Sequence, residues 1–374
     1  MILVGGEPVA TGNVDSETET LLFKLLDHPL LVASANALRD TELQIIKPPQ
    51  PSGNEDCDLR ANADGVAGSE CPMDPKYVYI FQKEFATVSP LFAELIGTDE
   101  ITTCLGLAIR DPSSGLTSIG HFDTADCVLN GVNELVNSVV SLSSSTFQVH
   151  LVGAFDDSSE YSDQPGAVRP VLNSAGREEL QWDNTKRKSG WSWPLAMRMI
   201  ETLQNSVHNF ELETFFVLKH NTTFGPSGHA CPTFRGFVVE TSSGRLLPAI
   251  FEPEARCPDG TVRGVCTTTV SADPRWVATL VSPYETLSDT FKISPFEWGG
   301  EIERYALYML TLEDAPFLDT FSTSPYAEGP DFLPTSRRIF TYIKNFPQWQ
   351  KTFPNHEPRV FTRTSTGGWI RKNP

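Results

Sequence analysis

A cysteine and a histidine lie on opposite sides of a strong turn signal, Asp111-Pro112-Ser113-Ser114-Gly115. In this run, proline favours the second turn position and glycine can adopt positive φ. The flanking residues can pair as antiparallel strands, and a loop centred near Ser113 places Cys104 opposite a residue between positions 121 and 123. His121 lies in that window, although a slip of one residue would turn its side chain to the other face. The spacing therefore predicts a thiol and an imidazole at cross-strand distance.

These two residue types together are suited to attack on an acyl carbon. A free cysteine has a pKa of about 8.5, and a neighbouring imidazolium lowers it so that thiolate forms at neutral pH. Cys104 is thus the candidate nucleophile, and His121 is the candidate base that returns a proton to a departing amine. Thr102, Thr103 and backbone N–H groups near the cysteine are candidate donors to an oxyanion. From spacing alone an alternative stays open, because a buried strand cysteine most often acts only as a small hydrophobic residue.

Other common catalytic and metal-binding patterns are absent from the sequence. It contains no G-x-S-x-G, no H-E-x-x-H and no glycine-rich phosphate loop. His150 sits in an apolar run, which is typical of a hydrogen-bonded core histidine. Cys257 and Cys266 flank the turn Pro258–Gly260, so we expect hairpin neighbours with a packing role. We expect neither a metal nor an organic cofactor.

Composition limits the possible partners. The 374 residues have 40% hydrophobic content and a formal net charge of −18, unlike nucleic-acid binders, whose surfaces cluster Lys and Arg. No apolar run approaches the roughly 20 residues of a membrane span, and the amino terminus lacks the basic region of a signal peptide. Seven cysteines without a C-x-x-C pair favour a reducing, intracellular compartment. We therefore expect neither a nucleic-acid nor a membrane partner.

Strand patterns surround the cysteine and the histidine. Lys76–Gln82 is aromatic and β-branched, Leu105–Arg110 alternates, and Phe147–Gly153 is an apolar run typical of a buried strand. Arg235–Phe251 is predicted to be a hairpin because of its central SSG.

Helical patterns lie between the strands. Glu19–Leu31 predicts an amphipathic helix that Pro29 ends. Gly131–Leu142 and Trp191–Val207 place apolar residues on one face, and a helix around Arg337–Asn345 precedes a carboxyl-terminal strand pair. Strands and helices without strict βαβ alternation favour an α+β fold.

Composition changes sharply between Pro48 and Pro75, where apolar residues are few and Pro, Gly, Asp and Asn are many. Residues 48–75 are therefore predicted to be a flexible insertion loop. Cys57 and Cys71 in this loop lack the nearby His or Cys that a metal site needs. Residues 1–47 are predicted to contribute a strand and helix to the same domain. Residues 76–374 are predicted to form a single catalytic domain with a carboxyl-terminal extension packed on it.

Several segments, in the same order, resemble the family of protein amino-terminal asparagine amidohydrolases. They are YVYIFQKEFATVSP (77–90), TTC (102–104), LTSIGHFDTAD (116–126), VHLVGAFDD (149–157) and FSTSPYAEGPDF (321–332). The resemblance implies hydrolysis of the side-chain amide of an amino-terminal asparagine, with Cys104 as the nucleophile. The aspartate product would feed the arginylation branch of the N-degron pathway. A monomeric enzyme in the cytoplasm and nucleus, acting ahead of the arginyltransferase machinery, is the corresponding expectation.

A more distant similarity concerns chemotaxis receptor glutamine deamidases and the catalytic domain of cytotoxic necrotizing toxins. The receptor deamidases carry a Thr six positions before the Cys and a His seventeen positions after it, which here are Thr98 and His121. The similarity implies that Thr98 orients the imidazole ring, and that the fold is a β-sandwich of mixed and antiparallel sheets flanked by helices. The sequence departs from that pattern just before the cysteine, where Thr102-Thr103 replaces Gly-Ser. The departure leaves the geometry of the oxyanion site open.

Recognition of a free amino terminus requires an anion near the substrate ammonium, because a buried unpaired charge is costly. Asp123 lies two residues beyond His121, on the same strand face, and is the candidate; Thr103 is the second candidate for substrate contact. The alternative for Asp123 is a cap on the following turn. Two other functions stay open, a deamidase of internal Asn or Gln and a non-catalytic N-degron binding module.

Overall fold

The structure is a computed structural model that describes residues 1–9, 17–49, 75–140, 146–158, 168–172, 178–182, 190–225, 228–272 and 276–372. Most of the segment 48–75, including Cys57 and Cys71, lies outside these residues. Its interpretation as an insertion loop, and the domain division built on it, therefore stay predictions.

The described residues form eight α-helices and twenty strands. The helices are α1 (Glu17–Asp27), α2 (Pro29–Arg39), α3 (Val128–Val139), α4 (Ser192–Gln204), α5 (Gly260–Ala272), α6 (Gly300–Met309), α7 (Asp314–Phe321) and α8 (Phe332–Asn345). The strands are β1 (Ile2–Val4), β2 (Glu7–Pro8), β3 (Gln44–Ile46), β4 (Tyr77–Tyr79), β5 (Phe85–Val88), β6 (Leu95–Thr98), β7 (Leu105–Arg110), β8 (Thr117–Phe122), β9 (Thr146–Phe155), β10 (Val168–Leu172), β11 (Glu178–Trp182), β12 (Asn209–Leu218), β13 (Thr222–Phe224), β14 (Ala230–Pro232), β15 (Phe237–Glu240), β16 (Leu246–Phe251), β17 (Tyr284–Glu285), β18 (Thr290–Ile293), β19 (Arg359–Arg363) and β20 (Trp369–Arg371).

The largest sheet has seven strands in the order β2-β1-β12-β9-β7-β8-β5. Strand β12 pairs in parallel with both β1 and β9, and the other pairings are antiparallel. Helices α1, α3 and α4 cover one face of this sheet. Helix α3 shows why: Val132, Leu135, Val136 and Val139 recur at helical spacing, and all four are buried.

A five-stranded sheet, in the order β3-β16-β15-β6-β4, covers the other face of the seven-stranded sheet. Between the sheets lies an apolar core to which Ala108, Ile119 and Val152 contribute from the larger sheet, and Ile96 and Phe237 from the smaller one. The predicted α+β sandwich flanked by helices is therefore confirmed. The predicted strand at 105–110 and the hairpin between 235 and 251 are also present.

The carboxyl-terminal part adds a four-stranded sheet, β17-β18-β19-β20, and helices that extend the core between the sheets. Helix α8 buries Ile339, Phe340 and Ile343. The predicted helix around 337–345 and the strand pair after it, β19 and β20, are confirmed.

One local prediction held in part and another was wrong. The predicted helix does end before Pro29, since α1 ends at Asp27, but Pro29 also begins a second helix, α2, at a position where a residue without an N–H is favoured. The two helices meet at 57°. No single described helix is long and apolar enough to cross a membrane, and only this bent pair, taken together, has the required length and composition among the described residues. Cys257 and Cys266 are not hairpin neighbours, because the turn between them leads into α5, which contains Cys266.

His150 is a hydrogen-bonded core histidine, as predicted. Its Nδ1 lies 3.0 Å from Thr214 Oγ1 and its Nε2 lies 3.0 Å from the carbonyl oxygen of Gly244. Burial lowers its pKa to about 4, so both ring nitrogens serve structure at neutral pH.

Candidate active site

The hairpin β7–β8 brings Cys104 and His121 to the same face of the seven-stranded sheet. Leu105 pairs with Phe122, and Gly106 pairs with His121. One further step in this register places Cys104 opposite Asp123, so the residue directly opposite the cysteine lies in the predicted window but is not the histidine. His121 is the diagonal neighbour of Cys104, a relationship that long side chains can bridge.

Gly106 lets the two sheets come close at this point. A β-carbon there would lie 2.3 Å from Cε1 of Phe237 and 3.0 Å from Cδ1 of Ile101. No side chain fits in that space, so the ring of Phe237, from β15, packs directly on the backbone opposite His121.

His121 is held by a hydrogen bond that crosses from one sheet to the other. Its Nδ1 lies 2.8 Å from Oγ1 of Thr98, the last residue of β6 in the five-stranded sheet. The ring is 1% exposed, and Nε2 has no hydrogen-bond partner among the described residues. Burial lowers the pKa of His121 to about 3, so the imidazole is neutral at physiological pH and its Nε2 is available to a reacting group.

A buried ion pair fixes the backbone on both sides of His121. The N–H of Lys83 donates to the His121 carbonyl at 2.9 Å, and the His121 N–H donates to the Glu84 carbonyl at 3.0 Å. The Glu84 carboxylate lies 2.6 Å from Arg263, whose guanidinium is 4.7 Å from the ring centroids of both Phe81 and Phe291. This pair could not be predicted from the sequence, because no local pattern joins residues about 180 positions apart.

Cys104 ends a loop that packs on a bulge of β9. The N–H of Ala154 donates to the Cys104 carbonyl at 2.6 Å, and the N–H of Phe155 donates to the Thr102 carbonyl at 3.2 Å. Gly153 has φ +123°, and a β-carbon there would lie 2.5 Å from the Cys104 carbonyl oxygen. The carbonyl groups of Thr102 and Cys104 thus point to β9. Within the described residues, the N–H groups of Thr103 and Cys104 donate to no acceptor. These two N–H groups are available to an oxyanion.

The hydroxyls of Thr102 and Thr103 hold a segment from the carboxyl-terminal part of the chain. Thr102 Oγ1 lies 2.9 Å from Ser324 Oγ, and Thr103 Oγ1 lies 2.8 Å from Thr323 Oγ1. This segment, residues 321–328, carries part of the FSTSPYAEGPDF run, whose role the sequence did not indicate. The two threonine hydroxyl groups are therefore already hydrogen-bonded to Ser324 and Thr323. Backbone N–H groups are the better candidates for oxyanion binding.

The charges around the thiol favour its protonated form. Burial raises the pKa of Cys104, and the carboxylates of Asp123 and Glu328 raise it further, whereas Lys83 lowers it. With His121 neutral as well, the resting pair is a thiol and an imidazole, and not the thiolate and imidazolium that the sequence led us to expect. The same burial that disfavours the two charges accounts for both shifts.

Asp123 lies beside Cys104 in a small network of side chains. Its Oδ1 is 3.7 Å from Lys83 Nζ and 3.8 Å from Cys127 Sγ, and its Oδ2 is 3.3 Å from Gln82 Nε2. Lys83, 2% exposed and in the left-handed region with φ 61°, was not anticipated from the sequence. Within the described chain Asp123 bonds side chains and caps no backbone N–H. Its part in substrate binding stays a prediction.

A separate surface cavity of about 210 Å³ lies at Arg256 and the start of α5. Cys104, His121 and Thr98 do not line it. Among the described residues no three His, Cys, Asp or Glu side chains are grouped so that they could hold a metal ion.

Comparison with known proteins gives a consistent match over most of the chain. A sequence model of the family described as protein N-terminal asparagine amidohydrolase matches residues 69–371. The protein of that name from Arabidopsis thaliana is 35% identical over 355 residues, which cover 95% of this chain and 93% of the relative. Those from Sus scrofa and Homo sapiens are each 24% identical over 299 residues, which cover 78% of this chain and 82% and 83% of the relatives.

Proposed function

Because the chain belongs to the protein N-terminal asparagine amidohydrolase family, we propose that it converts an amino-terminal asparagine of proteins and peptides to aspartate and ammonia. The observation that best supports a catalytic role for the site is the 2.8 Å contact between Thr98 and His121. It leaves Nε2 of a neutral imidazole unpartnered on the face of the sheet that carries Cys104.

In the first half of the proposed reaction, Cys104 Sγ attacks the carboxamide carbon of the substrate. The thiol proton moves to Nε2 of His121 as the C–S bond forms, which avoids a free thiolate in a buried site. The N–H groups of Thr103 and Cys104 bind the oxyanion. His121 then gives the proton to the departing nitrogen, the C–N bond breaks, and ammonia leaves a thioester on Cys104.

In the second half, water attacks the thioester carbon and gives a proton to His121. The C–S bond breaks, the proton returns to the sulfur, and the aspartate carboxyl group is released. Thr98 accepts a hydrogen bond from Nδ1–H and so keeps Nε2 unprotonated between steps, which is the third-residue role in a catalytic triad.

Asp123 stays the candidate that the sequence suggested for binding the substrate ammonium. Its position opposite Cys104 supports this role, whereas its contact with Lys83 at 3.7 Å already balances part of its charge. Thr103 contributes to substrate binding through its backbone N–H.

The cellular setting follows from the reaction. The aspartate product is a substrate for arginylation in the N-degron pathway, so we place the enzyme upstream of the arginyltransferase machinery, in the cytoplasm and nucleus. The net charge of −18 supports a monomeric protein that binds peptides and neither nucleic acid nor membranes.

The test is a deamidation assay read by mass spectrometry and by ammonia release. It compares peptides with free amino-terminal Asn, acetylated Asn, amino-terminal Gln and internal Asn, and Cys104→Ala is the control. We expect conversion of the free Asn peptide alone and none by the variant. Conversion of internal or acetylated amides would instead indicate a general deamidase, and binding without conversion would indicate a binding module.

A further inference from the structure

Glu328 is a half-buried carboxylate that reaches the cysteine loop through a chain of hydroxyl groups. Its Oε1 accepts a hydrogen bond from Ser322 Oγ and lies 3.5 Å from Ser324 Oγ. Ser324 Oγ in turn lies 2.9 Å from Thr102 Oγ1, two residues before Cys104. These contacts, together with the effect of its charge on the Cys104 thiol, place the carboxylate near the proposed nucleophile.

Glu328 lacks an ion-pair partner among the described residues. The buried carboxylates near the site are paired: Glu84 with Arg263 at 2.6 Å, and Asp99 with Arg256 at 2.9 Å. Among the described residues Glu328 forms no ion pair; the cation that acts on it is Arg235, whose Nε donates to the Ala327 carbonyl at 2.6 Å. A carboxylate that is partly withdrawn from water and has no counter-ion is costly unless a cation arrives from outside the chain.

The substrate of the proposed reaction brings such a cation. In an amino-terminal asparagine the ammonium nitrogen is three bonds from the carboxamide carbon that Cys104 attacks, so the ammonium must lie next to the thiol. We propose that the Glu328 carboxylate binds this ammonium and thereby selects peptides with a free amino terminus. The inference rests on the proposed function and names the residue that sets its specificity.

Binding of the ammonium would also help the nucleophile. The negative charge of Glu328 raises the pKa of the Cys104 thiol, and a bound ammonium cancels that charge and adds a positive one nearby. The thiol then loses its proton more easily when a correct substrate is present. An acetylated peptide lacks the ammonium, and it would lose both binding and this activation.

The decisive variant is Glu328→Gln, which keeps the side-chain shape and an acceptor for Ser322. We expect kcat/KM for the free Asn peptide to fall about 100-fold, with little change in the residual rate on the acetylated peptide. Glu328→Asp, which keeps the charge, should recover part of the loss. In a Cys104→Ala background, calorimetry should show that Glu328→Gln weakens binding of the free peptide and leaves the acetylated peptide unaffected.

Asp123→Asn is the matched comparison, since it removes the other carboxylate that acts on Cys104. Because Lys83 already balances part of the Asp123 charge, Asp123→Asn should lower kcat/KM for the free Asn peptide less than Glu328→Gln does. If Asp123→Asn lowered kcat/KM for this peptide and Glu328→Gln did not, the assignment to Glu328 would be wrong. If the wild-type chain did not convert the free Asn peptide at all, the proposed function itself would be contradicted. The two failures are therefore distinguishable.

Discussion

Thr98 and His121 belong to different sheets, and the 2.8 Å contact between Oγ1 and Nδ1 connects the two layers of the sandwich inside the candidate site. The imidazole is therefore positioned by the packing of the sheets as much as by its own strand. Catalytic geometry and core packing are coupled here, which makes several substitutions informative.

Thr98→Val removes the hydroxyl with little change of shape. We expect kcat for the Asn peptide to fall about 10- to 100-fold, because a buried Nδ1 without a partner costs about 1–3 kcal/mol and the ring loses its orientation. KM should change little, since Thr98 does not contact substrate in the proposed mechanism. Steady-state kinetics check both values. Thr98→Ser keeps the hydroxyl and should retain most activity; a serine variant as slow as the valine variant would contradict an orienting role.

Gly106→Ala tests the close approach of the sheets. The added methyl group would lie 2.3 Å from the Phe237 ring, so the ring or the strand must move. We expect the free energy of unfolding to fall by about 1–3 kcal/mol, measured by urea denaturation, together with a loss of kcat. The double variant with Phe237→Leu makes room for the methyl group and should recover part of the stability. Full stability in the single variant would mean that the sheets are less tightly packed here than the structure indicates.

The dependence of kcat/KM on pH should show a limb that belongs to Glu328. Burial raises the pKa of this carboxyl group to about 7, and the hydrogen bond from Ser322 and the charge of Arg235 oppose the shift. Below that pH the carboxyl group is neutral and does not attract the ammonium, so kcat/KM should fall as pH decreases. Above about 8 the peptide amine itself loses its proton, and kcat/KM should fall again.

His121 adds no limb to this profile, because burial lowers its pKa to about 3. In Glu328→Gln the acidic limb should disappear and the basic limb should remain. A profile measured between pH 5.5 and 9 at saturating and limiting peptide checks this. An unchanged acidic limb in the variant would assign it to another group.

Glu84→Gln should destabilise the protein by about 3–5 kcal/mol, because it leaves the buried Arg263 without its counter-ion. Activity should fall as well, since the backbone of residues 83 and 84 brackets His121. Urea denaturation and steady-state kinetics measure the two effects. Glu301→Gln, which breaks an exposed pair with Arg304, is the control and should leave the unfolding midpoint unchanged. Equal effects of the two variants would contradict the structural role of the buried pair.

The parts of the site that lie close in sequence could be predicted, and the distant parts could not. The turn at 111–115 was sufficient to bring Cys104 and His121 together, because hairpin register depends on local geometry. The residue opposite Cys104, Asp123, lies at the end of the predicted window of 121–123, since the turn residues alone do not fix the register. Thr98 came only from a distant similarity; its contact with His121 depends on how two sheets pack.

The pairing of Thr102 and Thr103 with Ser324 and Thr323 joins residues at least 220 positions apart. No periodicity or turn rule reaches that distance, so the sequence did not indicate that Glu328 lies near the cysteine loop. The protonation of the pair also differed from the expectation, because it depends on burial, which a sequence shows only indirectly.

The same long-range contacts can form only late in the synthesis of the protein. The hairpin with Cys104 and His121 leaves the ribosome early, whereas residues 321–328 emerge only after some two hundred more have been added. A nascent or truncated chain would then hold Cys104 and His121 without the segment that bonds Thr102 and Thr103. If Glu328 selects the amino terminus as we propose, this selection is expected only in chains synthesised past residue 328.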